Sequence, residues 1–88
     1  MDLKNIFWKL KDVIQTEENY VPRDYQTVGG MWTVDTYKHK GLTLTIMDEG
    51  WTIRIAGEGV DLINRGDDYE LKKGNISELN EILSAITK

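Results

Sequence analysis

The sequence predicts an α+β fold: an N-terminal helix, a four- to five-stranded antiparallel β-meander and a C-terminal helix, with both helices on one face of the sheet. Two period-two alternations lie between Leu42 and Ala56, apolar residues recur at helical spacing at both ends of the chain, and the turn lengths between strands agree with one another. A chain of 88 residues predicts a single domain, residues 1–88, with one core.

The first helix is predicted at about residues 2 to 15. Its apolar stripe has the three-and-four spacing of a helix buried along one side, and consists of Leu3, Ile6, Phe7, Leu10, Val13 and Ile14. Trp8 lies beside this stripe, which predicts a partly covered rim residue. The segment from Thr16 to Gln26 has neither period and predicts a connecting loop that is either packed or functional, with a strand at Tyr25 to Val28 left open.

Each strand of the predicted meander has one apolar face. Residues paired on antiparallel strands point to the same side, so whether a loop has an odd or an even number of residues decides which faces match. The apolar alternations then agree across four turns, at His39 to Gly41, Met47 to Gly50, Gly57-Glu58 with its glycine first, and Arg65 to Asp68. Ile46 is expected beside Trp51, and Leu62 beside Leu71.

The second helix follows Gly74. Asn75 and Glu78 have the spacing of a capping box, with asparagine at the cap position. The apolar stripe that follows consists of Ile76, Leu79, Ile82, Leu83 and Ile86.

Charge and composition exclude several classes of protein. The net charge of −4 comes entirely from residues 41–88, and a negative half disfavours direct binding of nucleic acid. The chain has no cysteine, no signal-peptide pattern and no apolar run of membrane-spanning length, which predicts a cytoplasmic protein without membrane contact. A larger protein with a basic surface is the favoured partner, and a homodimer is an alternative.

The first candidate site is a group of carboxylates at one end of the sheet. Alternate turns of a meander lie at the same end, which is expected to bring together Asp48, Glu49, Asp67 and Asp68, with Arg65 as the one offsetting charge. Ordinary turn chemistry accounts for aspartate at these positions, and a docking patch for a basic partner is the functional reading. A calcium site is a third alternative, although no calcium-loop spacing is present.

The second candidate site is the sheet face opposite the helices. It is expected to carry Thr33, Asp35, Tyr37, Thr43, Thr45, Met47, Thr52, Arg54, Asp61 and Ile63. Threonine is an ordinary occupant of a wet sheet face, whereas Tyr37, Met47, Arg54 and Ile63 are types that proteins use as contact anchors. The candidate partner-binding residues on this face are Tyr37, Met47, Arg54 and Asp61.

No residue set predicts catalysis, a cofactor or a metal centre. His39 is the one histidine, and the sequence places no nucleophile, orienting carboxylate or further ligand beside it. The expectation is therefore a protein that is not an enzyme.

In size, acidity, lack of cysteine and composition rich in Lys, Glu, Ile and Asn, the chain resembles the small inhibitors of bacteriophages and mobile elements, such as the anti-CRISPR proteins. The resemblance implies a non-enzymatic module that blocks a basic surface of a larger, nucleic-acid-handling protein. The resemblance is one of composition, so it carries over no functional residue. A structural or self-assembling accessory protein and a small ligand-binding domain are the alternatives.

Overall fold

The computed structural model describes residues 2–22, 29–36 and 42–86. Its main elements are α1 (Leu3–Ile14), β1 (Gly30–Thr36), β2 (Leu42–Asp48), β3 (Thr52–Gly57), β4 (Val60–Arg65), β5 (Asp68–Lys73) and α2 (Ile76–Ile86). The five strands pair in the order β1-β2-β3-β4-β5, and every pair is antiparallel. The predicted α+β meander between two helices is confirmed.

Both helices begin at a side-chain cap. The Asp2 carboxylate accepts the backbone N–H of Asn5 at 2.9 Å, and the Asn75 side chain accepts the N–H of Glu78 at 2.8 Å. The predicted asparagine cap of α2 is therefore confirmed. The prediction that Ile76 belongs to the buried stripe is wrong, because at the first position of α2 its side chain remains 40% exposed.

The core lies between the helices and one face of the sheet. Side chains from both helices and from the central strands form one buried cluster, which consists of Ile6, Phe7, Leu10, Ile14, Leu44, Ile46, Ile55, Val60, Leu62, Leu79, Ile82 and Leu83. The pairings of Trp32 with Ile46 and of Val34 with Leu44 confirm the predicted match between the apolar faces of β1 and β2. Burying these apolar surfaces is the main force that holds the helices on the sheet.

The pairing between β2 and β3 differs from the prediction. Ile46 lies opposite Ile55 rather than Trp51. The predicted turn at Met47 to Gly50 is wrong because β2 continues through Asp48, whose carboxylate accepts the backbone N–H two residues further on. The two registers differ by an even number of residues, so the apolar residues of β3 still point to the core.

The turns of the other two described hairpins also differ from the prediction. The turn between β3 and β4 is Glu58-Gly59 rather than Gly57-Glu58, because Gly59 has the positive φ of +80° and Gly57 pairs with Val60 within the sheet. The pairing of Leu62 with Leu71 between β4 and β5 is as predicted, but the turn is Gly66-Asp67 rather than Arg65 to Asp68, because Arg65 pairs with Asp68 within the sheet.

The segment after α1 is packed against the edge of the sheet. A short 3₁₀ helix covers Glu17–Asn19, Tyr20 forms an isolated antiparallel bridge with Trp32, and the N–H of Val21 donates to the Met31 carbonyl at 2.8 Å. The strand considered at Tyr25 to Val28 lies outside the described residues. So does the predicted turn at His39 to Gly41.

Candidate protein-binding site

The two acidic turns lie at the same end of the sheet, as predicted, and they touch. Gly66 lies in the turn between β4 and β5, and Trp51 lies in the turn between β2 and β3. The backbone N–H of Gly66 donates to the Trp51 carbonyl at 3.4 Å. At the turn between β2 and β3, the N–H of Glu49 donates to the Thr52 carbonyl at 2.9 Å, and the N–H of Gly50 donates to the Asp48 carboxylate at 2.9 Å. These hydrogen bonds fix the backbone that carries Trp51.

Trp51 is the most exposed large apolar side chain among the described residues. Its indole is 75% exposed, although one part of the ring lies against Gly66. A Cβ atom at position 66 would come within 2.7 Å of the ring, so glycine there leaves room for the indole. The ring is thus supported on one side and open to solvent on the other.

Carboxylates lie on or beside both turns at this end of the sheet. Glu49, Asp67 and Asp68 are exposed, whereas Asp48 is partly buried and its carboxylate accepts the N–H of Gly50. The nearest predicted counter-charge is engaged elsewhere, because Arg65 pairs with Glu70 at 3.1 Å. The end of the sheet therefore combines an exposed indole with an excess of negative charge.

Trp51 is predicted on the core face from the sequence, because it continues the alternation of Ile53 and Ile55. Trp51 instead lies in the turn, before β3 begins at Thr52. The signal for this was present in the sequence: an aspartate followed two residues later by glycine is typical of a turn closed by the aspartate side chain. Such a turn at Asp48 moves the tryptophan out of the strand.

The face opposite the helices is less open than predicted. Ile63 is 4% exposed there, and the Asp61 side chain is 10% exposed. Ile63 lies across from Arg54 on β3 and Glu70 on β5, so it sits between the ion pairs Arg54–Asp61 and Arg65–Glu70. We attribute the burial of Ile63 to the aliphatic parts of these long side chains.

Arg54 and Asp61 bind each other in a two-pronged contact. The arginine Nε donates to Oδ1 at 2.8 Å, and Nη2 donates to Oδ2 at 2.6 Å. The hydrogen bonds from Arg54 hold the pKa of Asp61 below the ordinary value for aspartate, although burial acts in the opposite direction. The pKa of Arg54 is raised, first by Asp61 and to a smaller extent by the charge of Glu49.

Asp61→Asn is expected to lower the midpoint of thermal unfolding by about 4–8 °C at neutral pH, because it weakens a charge-assisted contact at a mostly buried site. The folded-state pKa of Asp61 is depressed, so its contribution is present above the ordinary aspartate pKa of about 3.9. The contribution is lost as the pH falls through the folded-state pKa. Melting curves of both proteins from about pH 7 to about pH 2 should therefore converge at the acid end.

The matched control is Glu70→Gln, which breaks the more exposed Arg65–Glu70 pair. It should lower the midpoint by at most about half as much. Equal effects of the two substitutions, or a difference between wild type and Asp61→Asn that persists in acid, would contradict the role assigned to Asp61.

The other predicted residues of this face have different environments. Met47 is partly buried on β2, opposite Arg54 on one side and Met31 on the other. Thr33 and Thr45 pair across β1 and β2 with their hydroxyl oxygens 3.2 Å apart. Tyr37 lies outside the described residues.

Within the described part of the chain, no group of three or more His, Cys, Asp or Glu residues could hold a metal ion. Neither α1 nor α2, the two α-helices described, is long and apolar enough to cross a membrane. Comparisons of the chain with protein-family models, curated proteins and solved structures give no match.

Proposed function

We propose that this chain is a non-enzymatic protein-binding module of the cytoplasm, which occupies a basic surface of a larger, nucleic-acid-handling protein. The observation that carries the proposal is Trp51, 75% exposed on a hydrogen-bonded turn and accompanied by the carboxylates of two adjoining turns. We call this surface the acidic turn end and define it by Asp48, Glu49, Trp51, Asp67 and Asp68.

Burial of the exposed tryptophan against a partner would provide hydrophobic stabilisation that the free protein lacks. An indole buries about 150–250 Å² when fully covered, and tryptophan is among the commonest residues to dominate a protein interface. The turn hydrogen bonds hold its backbone in place before binding, which lowers the entropy lost on association.

The carboxylates favour a partner with a basic surface. Opposite charge speeds encounter and suppresses association with acidic surfaces. A protein that holds nucleic acid has a basic groove for phosphates, and carboxylates at the acidic turn end can compete for the same lysine and arginine side chains. A stoichiometric inhibitor carried by a phage or mobile element would act in this way, and the composition of the chain resembles that of such inhibitors.

Trp51→Ala is expected to weaken partner binding at least about thirtyfold, the effect of losing a hot-spot residue. The partner is first recovered by capture with the tagged protein from host lysate at low and high salt, and its affinity is then measured by titration with purified components. Ile76→Ala is the matched control, because Ile76 is also exposed but lies outside the acidic turn end.

A second pair of variants tests the charge. Glu49→Lys with Asp67→Lys should weaken binding and reduce its salt dependence, whereas Glu18→Lys with Glu58→Lys makes the same change in net charge away from the acidic turn end. Asp48 is retained because its carboxylate closes the turn. Unchanged affinity in both Trp51→Ala and the first pair would refute the proposal. So would a captured partner that stays bound to this protein when nucleic acid is added in excess.

A further inference from the structure

The strand β5 lies at one edge of the sheet. It pairs with β4 on one side, and within the described part of the chain no strand pairs with its other side. Pairing on one side satisfies only every second backbone N–H and C=O group, so the outer edge of β5 presents unpaired groups. The edge at β1 is partly covered, because the N–H of Val21 donates to the Met31 carbonyl. The edge at β5 is therefore the more open of the two.

The charges of β5 are ordered along the strand. Two acids, Asp68 and Glu70, precede two bases, Lys72 and Lys73, and all four residues are exposed. When two copies of such a strand run antiparallel, the acids of one copy lie across from the bases of the other. A parallel pairing in register would align like charges instead. The strand is therefore complementary to itself in the antiparallel direction.

One antiparallel register matches the charges and the faces together. If Leu71 lies opposite Leu71 of the second copy, then Glu70 of each copy lies opposite Lys72 of the other. Paired residues then differ by an even number in sequence, so side chains from the same face of each sheet meet. A shift of two residues in either direction would place Glu70 against Glu70 or Lys72 against Lys72, where like charges repel. The register through Leu71 is therefore favoured.

Both charged side chains are available for this contact. Lys72 is an extra residue in the pairing of β4 with β5, which shifts by one position at this point, so it has no direct partner on β4. The Glu70 side chain is 52% exposed although it binds Arg65. A carboxylate has two acceptor oxygens, so Glu70 can accept from Arg65 and from a lysine of the second copy together.

Apolar side chains on the helix side of β5 are incompletely covered. Tyr69 and Leu71 pack against the core but are only half-buried. Trp8 of α1 donates from Nε1 to the Tyr69 hydroxyl at 2.8 Å, and it remains 43% exposed. Pairing through Leu71 would bring the two leucines together and cover apolar surface at the edge of each core.

We propose that the chain forms a two-fold symmetric dimer in which β5 pairs antiparallel with β5 of a second copy. The five strands of each copy then form one continuous sheet, with the helices of both copies on the same side. The two-fold symmetry means that the contact between Glu70 and Lys72 occurs twice. A contact through one edge strand is small, so the dimer is reversible. This inference does not depend on the function proposed above.

Sedimentation equilibrium of the full chain over a range of concentrations measures the association. A reversible equilibrium between monomer and dimer is expected, and in ¹⁵N-labelled protein the amide signals that move with concentration should be those of β5. A chain that is still a monomer at about 1 mM overturns the proposal and means that the lysines and the irregular pairing protect this edge. Signals that move only in other strands also overturn it.

A pair of charge reversals tests the register. Glu70→Lys and Lys72→Glu each place like charges at both symmetric contacts, so each variant alone should associate at least about tenfold more weakly than the wild type. In an equimolar mixture, the bases of one variant lie opposite the acids of the other. Dimers should therefore form in the mixture at concentrations at which each variant alone is a monomer.

The matched controls are Glu18→Lys and Lys9→Glu, which make the same changes in charge at exposed positions outside β5. Each control should associate as the wild type does. Circular dichroism checks that every variant is folded, and Lys72→Glu breaks no ion pair among the described residues, so it tests the contact even if the loss of the Arg65 pair unfolds Glu70→Lys. The proposal is overturned if Lys72→Glu associates as well as the wild type, if the mixture of folded β5 variants contains no dimer, or if the controls weaken association equally.

Discussion

Phe7→Ala is expected to destabilise the protein by about 3–5 kcal/mol, the cost of deleting a fully buried phenylalanine ring. Phe7 has no exposed surface and packs edge to face on Trp8 at 5.8 Å and on Tyr69 at 5.4 Å. The ring therefore joins α1 to β5. A domain of this size is typically stable by only about 4–13 kcal/mol, so the substitution removes much or all of the folded population.

Urea unfolding followed by far-ultraviolet circular dichroism measures this effect. Phe7→Leu is the matched control: it keeps most of the apolar volume, loses the ring contacts, and should cost about 1.5 kcal/mol or less. A loss of less than about 1 kcal/mol in Phe7→Ala would mean that the space it leaves collapses, and that Phe7 does not anchor α1 to the sheet.

Within the described strands, the sequence was sufficient to predict which face lies on the core, because alternation determines a face without a knowledge of register. It was not sufficient for the register itself. Ile46 pairs with Ile55, four residues beyond the predicted partner Trp51, and the two pairings leave the same faces buried. Only side-chain chemistry separates them, since the Asp48 carboxylate closes the turn after β2.

That difference in register explains why the candidate site was only partly predicted. The carboxylates of the two turns were assigned to one end from topology alone, and the contact between Gly66 and Trp51 supports this placement. Trp51 itself was missed because its exposure depends on where β3 begins.

The sequence also could not show that an ion pair covers part of the sheet face opposite the helices. Arg54 and Asp61 were treated as available anchors, but they engage each other, and Asp61 is mostly buried. The sequence could not predict that the end of α1 and Trp32 line the same groove, because the two are far apart along the chain. A pattern within one segment carries no information about such a grouping.

Gly29→Ala is expected to destabilise the protein by about 3 kcal/mol or more, through backbone strain and overlap together. Gly29 has a φ of +91°, and a Cβ atom built there would overlap the carbonyl oxygen of Asp48. The overlapped atom belongs to the backbone of β2, so no side-chain rotation can relieve it. The start of β1 would have to move away from the acidic turn end.

Gly50→Ala separates the two causes. Gly50 has a similar φ of +87°, but a Cβ atom there would meet nothing within 4 Å, so its cost should be about 1 kcal/mol from backbone strain alone. Urea unfolding of the two variants gives the difference. Equal losses would show that the backbone at Gly29 moves without cost to make room for the added methyl group, whereas the expected excess means that the start of β1 is packed too tightly against Asp48 to accept it. In that case, Gly29→Ala should also weaken partner binding although Gly29 lies outside the acidic turn end.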